Sequence, residues 1–145
     1  YLPPPVWLLI SIIAMVGLWH WLPGGAVLAY PWTLLGIVPM AIGIALGLPA
    51  ALRFRRQKTT LNPFEVSSRL VTEGPLRFTR NPMYLGLVLI LIGVALLTGA
   101  LTPFIVIVAF ALIINYGFIR REEKMLGERF GDEYRRYAAR VRRWL

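Results

Sequence analysis

Cysteine is absent from this 145-residue chain, which excludes a disulfide framework, a thiolate metal site and a cysteine nucleophile. Charge is scarce: 16% of residues are Asp, Glu, Lys or Arg, against about 25% in soluble domains. A single histidine, His20, sits between Trp19 and Trp21 and is read as an interfacial residue. No glycine-rich dinucleotide fingerprint, phosphate-binding loop, metal-ligand cluster, internal repeat or low-complexity tract is evident. The opening "YLPPPVWLLI" has neither methionine nor a basic stretch, and no small-residue cleavage pattern follows it. Its first apolar run is therefore read as a retained span, with a few native residues ahead of it.

What is present is apolar. Hydrophobic residues make up 57% of the chain, and they fall in four runs at about 6–22, 32–52, 82–97 and 103–118. A crossing helix needs about 20 residues, with about 17 as the lower end. The expected fold is therefore an all-α integral membrane domain, residues 1–145, of about four transmembrane helices. The third and fourth runs are short, which suits a tight hairpin and local bilayer thinning. "LTGALTP", residues 97–103, supplies the turn, with Gly99 at the break and Pro103 at a new helix start.

A net charge of +9 invites a nucleic-acid partner, but the distribution argues against one. All 16 basic residues lie in two clusters, seven at 53–80 and nine at 120–143, beside the spans. Such clusters meet anionic headgroups, and the positive-inside rule places them, the N-terminus and the C-terminus in the cytoplasm. All seven acidic residues lie in the same two regions. The opposite loop is uncharged and carries Trp19, Trp21, Tyr30 and Trp32, an aromatic belt. After Arg120, an apolar stripe of Leu126, Phe130, Tyr134, Tyr137, Val141 and Trp144 predicts a basic amphipathic helix, with a bend or cap at Gly131.

Two polar thresholds stand out. In "EGPLRFTRNPMYLG", residues 73–86, Asn81 suits an N-cap and Pro82 the first helical position, while Arg77 and Arg80 suit an anion at the membrane surface. In "IRREEKML", residues 119–126, Glu122 and Glu123 would meet the unfavourable end of a helix dipole if the fourth span stopped there. Facing arginines across the bundle, they would offer a pocket with cationic and anionic sides for a zwitterion, although pairing with neighbouring arginines on a solvated helix is the simpler reading. The Gly43 to Gly47 spacing favours close internal helix packing. Asn115 and Tyr116 are the deepest polar residues of the fourth span, where an interhelical hydrogen bond is expected.

The order Gly-Pro, Arg-x-Pro-x-Tyr, hairpin, Glu-Glu and Phe-Gly-x-x-Tyr, over residues 59–145, resembles the isoprenylcysteine carboxyl methyltransferase and phospholipid methyltransferase group of membrane enzymes. The resemblance implies a helical bundle that binds S-adenosylmethionine at the cytoplasmic face, over about 74–145, beneath a folded-back C-terminal segment. It implies cofactor contacts from Gly74, Pro75, Leu76, Arg80, Asn81, Pro82, Tyr84, Glu122, Glu123, Phe130, Tyr134 and Tyr137. Arg80, Glu122 and Glu123 become the catalytic candidates, with no metal. Asn81 replaces the histidine common in prenylcysteine enzymes, so "RNPMY" is more similar to a bacterial subgroup, and a bacterial inner membrane is implied.

Methyl transfer from a sulfonium depends on alignment and exclusion of water. A carboxylate acceptor could be oriented by Arg80. An amine would need Glu122 or Glu123 as base. The expected acceptor is lipophilic, reached from the bilayer. Two other classes remain open at this stage: an NADPH-dependent membrane reductase, though such proteins are usually longer, and a small scaffold or transporter subunit.

Overall fold

In lipid every backbone N–H and C=O must be satisfied within the protein, and a helix does this locally. The computed structural model, which describes residues 4–58 (50–58 as backbone only) and 77–144, is accordingly helical. Helix α1 covers Pro4–Trp21. A 3-10 turn, Trp32–Gly36, leads directly into α2, Ile37–Lys58. Helices α3, Pro82–Thr98, and α4, Pro103–Ile114, form the hairpin. A π-helical turn, Asn115–Ile119, joins α4 to α5, Arg120–Phe130, and α6 covers Asp132–Arg140. Among the described residues β pairing is limited to a single bridge, Ala26 to Ala100.

Three helical stretches, Pro4–Trp21, Trp32–Pro49 and Pro103–Phe130, are long and apolar enough to cross a membrane. Pro82–Thr98 is a shorter apolar helix of 17 residues. The fold is the expected all-α membrane bundle, with one correction. The helix that carries the fourth run is not short, because α4, the π turn and α5 form one continuous 28-residue helix that outlasts the run. Glu122 and Glu123 thus lie inside a helix rather than at its C-terminal end, and the dipole argument for them does not apply.

Helix α3 is the centre of the bundle, in contact with α1, α2 and α4. Its junction with α2 is built on glycine. A Cβ on Gly43 would stand 2.4 Å from the Gly86 carbonyl oxygen, and one on Gly36 would stand 2.3 Å from that of Gly93. Gly86 and Gly93 are equally tight against α2 and the turn before it. The close approach replaces the hydrophobic driving force that lipid removes, and it uses the Gly43 to Gly47 spacing inside the chain. On the other side of α3, Leu91 and Ala95 join Met15, Phe110, Ile114 and Ile119 in the buried core. Ile13, Val38, Ile105 and Val108 are each more than half exposed on the outer surface, as lipid-facing positions are.

The hairpin closes as the sequence suggests. Gly99 adopts φ 67°, and its N–H donates to the carbonyls of Ala95 and Leu96. The uncharged loop lies against it, with Val27 N donating to Gly99 O at 2.6 Å and Leu101 N to Gly25 O at 3.0 Å. Trp19, Trp21, Tyr30 and Trp32 are exposed at this end.

The C-terminal stretch is not one helix. Gly131, at φ 55° and ψ −122°, separates α5 from α6, and Val141 leaves the helix in an extended conformation. The apolar stripe folds back over the bundle: Tyr134, Tyr137 and Val141 are buried with Leu126 and Phe130, and Trp144 packs on the main core.

Candidate active site

Both thresholds and the tail meet at the end of the bundle opposite the uncharged loop. Pro82 takes the first position of α3, where a missing N–H costs nothing, and this places Thr79 and Arg80 just before the helix. Asn81 occupies the N-cap position, but its side chain caps nothing, contrary to expectation. Its Nδ2 instead donates to the Arg143 carbonyl at 3.0 Å. Thr79 Oγ1 donates to the same oxygen at 3.2 Å, and the Arg80 N–H donates to Arg142 O at 2.9 Å. The exchange has a physical cause. Thr79 and Asn81 are buried and need partners, while the carbonyls beyond Arg140 have left the helix and need donors.

Glu122 and Glu123, neighbours on a helix, point about 100° apart and so meet different partners. Glu122 Oε1 accepts from the Tyr84 hydroxyl. Glu123 lies between two guanidinium groups. Arg143 grips it in a fork, Nε to Oε2 at 2.8 Å and a terminal nitrogen to Oε1 at 2.6 Å, while Arg80 approaches Oε2 at 3.3 Å. The remaining Arg143 nitrogen donates to Asn115 Oδ1 at 3.1 Å. Asn115 opens the π turn, a feature often found at functional sites. Its hydrogen bond is to the tail rather than to another helix.

Arg80 also donates to the Tyr134 hydroxyl at 3.3 Å, and its Nε is buried with no hydrogen-bond partner. Burial pushes the Tyr134 phenol up, against the hydrogen bond from Arg80. Burial likewise pushes Tyr137 up to about 12. Both phenols are neutral at physiological pH.

Arg80, Asn81, Pro82, Tyr84, Glu122, Glu123 and Tyr134 thus cluster at one site. Tyr137 stands beside Tyr134, ring centroids 6.2 Å apart. Phe130 packs in the small cluster with Leu126, under the Arg129 guanidinium at 5.8 Å. Gly74, Pro75 and Leu76 lie outside the described residues. Sequence reasoning missed Thr79 and Arg143. Arg143 is one of nine basic residues in its cluster, and its only signal is its place beside Trp144 at the end of the apolar stripe.

Asn81→Ala removes one of the two side-chain donors to the Arg143 carbonyl. The expected result is a loss of about 1 kcal/mol, with faster hydrogen exchange at the Arg80 amide and unchanged exchange at the buried Leu91.

The model of the family described as phospholipid methyltransferase matches residues 31–133, well over half of the chain. The chain belongs to the phospholipid methyltransferase family. The matched region contains both thresholds, the hairpin between them and the start of α6. A protein of Haemophilus influenzae described as uncharacterized is 49% identical over 63 residues, covering 43% of this chain and 100% of that protein. No solved structure matches. Membership supports a membrane methyltransferase.

Proposed function

We propose that this protein transfers a methyl group from S-adenosylmethionine to a lipophilic acceptor, a lipid amine, thiol or carboxylate, at the cytoplasmic face of a bacterial inner membrane. The observation that carries the reading is the convergence of Arg80, Tyr84, Glu122, Glu123 and Tyr134 at one end of an otherwise apolar bundle. The donor set fits the zwitterionic methyl donor. Arg80 has a buried N–H without a partner, suited to a carboxylate, and Glu123 accepts two hydrogen bonds from Arg143 and pairs with Arg80, leaving acceptor capacity among its about four lone-pair positions for an amine or ribose hydroxyl. Once bound, the donor supplies an activated sulfonium methyl.

The protein's part is placement and proton handling. Glu123, held by two cations, is a fixed anion that orients the donor. Glu122, whose hydrogen bond comes from a neutral phenol, is the group able to accept a proton from an amine acceptor. Apolar outer helix surfaces give a lipid acceptor a route along the bundle, and the folded-back tail excludes water. Placing both charge clusters on the cytoplasmic side follows the positive-inside rule.

Purified protein incubated with methyl-labelled S-adenosylmethionine and a bacterial lipid extract should move label into the organic phase. Alkaline treatment then sorts the acceptor: esters release methanol, whereas N-methyl and S-methyl products keep their label. Label that stays entirely aqueous with folded protein and a complete extract would sink the proposal.

A further inference from the structure

Three distant segments, 79–81, 115–123 and 141–144, meet at Arg143. Its side chain forks both oxygens of Glu123 and reaches Asn115, while its carbonyl is held by Thr79 and Asn81. The neighbouring Arg142 carbonyl is tied to the Arg80 N–H, so the backbone carrying the fork is fixed on both sides of the peptide. Val141 and Trp144 anchor the tail in apolar clusters before and after it. A carboxylate held by one hydrogen bond rotates about its terminal torsion, which is broad for glutamate. A carboxylate held by a planar fork does not.

We propose that Arg143 is a positioning residue for cofactor binding: through its fork it fixes the plane of the Glu123 carboxylate and aims its remaining lone pair at the ligand. This rests on the methyl-donor reading above. It makes the last turn and tail of the chain a part of the site rather than a cover over it. The π turn contributes because it carries Asn115, which holds the third nitrogen of the same guanidinium. Lysine cannot replace the residue, since a single ammonium does not span two oxygens in one plane.

The test is calorimetric binding of S-adenosylmethionine to the full chain in detergent, for wild type, Arg143→Ala and Arg143→Lys, with thermal unfolding of each. Both variants should bind about tenfold to a hundredfold more weakly, with unfolding temperatures lowered by no more than a few degrees and a cooperative transition retained. Guanidinium ion, at concentrations far below those that unfold proteins, should restore binding to Arg143→Ala, and ammonium ion should not. Without any cofactor, the Arg143 Nε–H should be protected from exchange in wild type and lose protection in Glu123→Gln.

Wild-type affinity in Arg143→Lys, or weak binding that guanidinium does not rescue, would overturn the inference. If Arg143→Ala does not fold, Arg143→Lys decides by the same measurement. Failure of both to fold makes Arg143 a stability residue and overturns it as well. Wild-type protein that shows the protected Nε–H and yet binds no S-adenosylmethionine would overturn the methyl-donor reading, and this inference with it.

Discussion

Glu123→Gln is expected to abolish S-adenosylmethionine binding, whereas Glu122→Gln should retain binding within a few-fold and lose methyl transfer by about a hundredfold or more. The difference follows from partners. Glu123 is the anion between Arg80 and Arg143, and neutralising it leaves two guanidinium groups facing each other where the proposed donor would bring a sulfonium and an ammonium. Breaking a fully buried pair costs about 3–5 kcal/mol. The Arg143 side chain is 33% exposed, so solvent screening lowers the stability loss to on the order of 1–2 kcal/mol, and the effect on binding dominates. Glu122 is bound to a neutral phenol, and its amide counterpart keeps the hydrogen bond from Tyr84 while losing the capacity to take a proton. Calorimetry for binding and label transfer for turnover separate the two roles. Equal loss of binding in both variants would show that the glutamates act as one anionic unit.

Alanine at Gly43 or Gly93 destabilises the bundle by about 1–3 kcal/mol, enough to lower the unfolding temperature in detergent visibly. A Cβ at Gly43 would stand 2.4 Å from the Gly86 carbonyl oxygen, and one at Gly93 2.4 Å from that of Gly36. In each case the obstacle is backbone, so relief requires α2 and α3 to separate. Gly127 in α5 is the control, because a Cβ there meets nothing within 4 Å and helix propensity alone applies. Gly127→Ala should stabilise by up to about 1 kcal/mol. Opposite signs for two glycine-to-alanine changes in one protein are hard to obtain from general membrane-protein fragility. Valine or leucine at Gly43 should prevent recovery of folded protein. Tolerance of leucine there would mean that α2 and α3 do not touch along this line.

The features legible in the sequence were those set by local chemistry. Apolar runs, Gly99, Pro82, Pro103 and Gly131 act within a few residues of themselves, and the structure places a helix, a turn or a break at each. The small-residue spacing around Gly43 also read correctly as internal packing. The end of the fourth helix was not legible, because charge at Arg120 marks the end of the apolar run but not the end of the helix. Helical hydrogen bonds continue through it, and Arg120 donates to Asn115 O across the π turn.

The site was legible in part. Arg80, Tyr84, Glu122 and Glu123 come together because they flank spans at the same end, a relation that topology and charge contain. Asn81 read as a cap on local grounds, but a tail 62 residues away takes its side chain. Arg143 could not be separated from its basic neighbours by composition. Its distinction arises only when the chain leaves the helix at Val141 and turns one guanidinium inward.

The most direct test of the central claim is calorimetric titration of the purified, detergent-solubilised chain with S-adenosylmethionine, with NADPH as the comparison ligand. Micromolar binding of S-adenosylmethionine, lost in Glu123→Gln, and no heat from NADPH, are the expected results. Binding of NADPH instead, or no binding of S-adenosylmethionine by protein with an intact unfolding transition, would contradict the assignment of this site to methyl transfer.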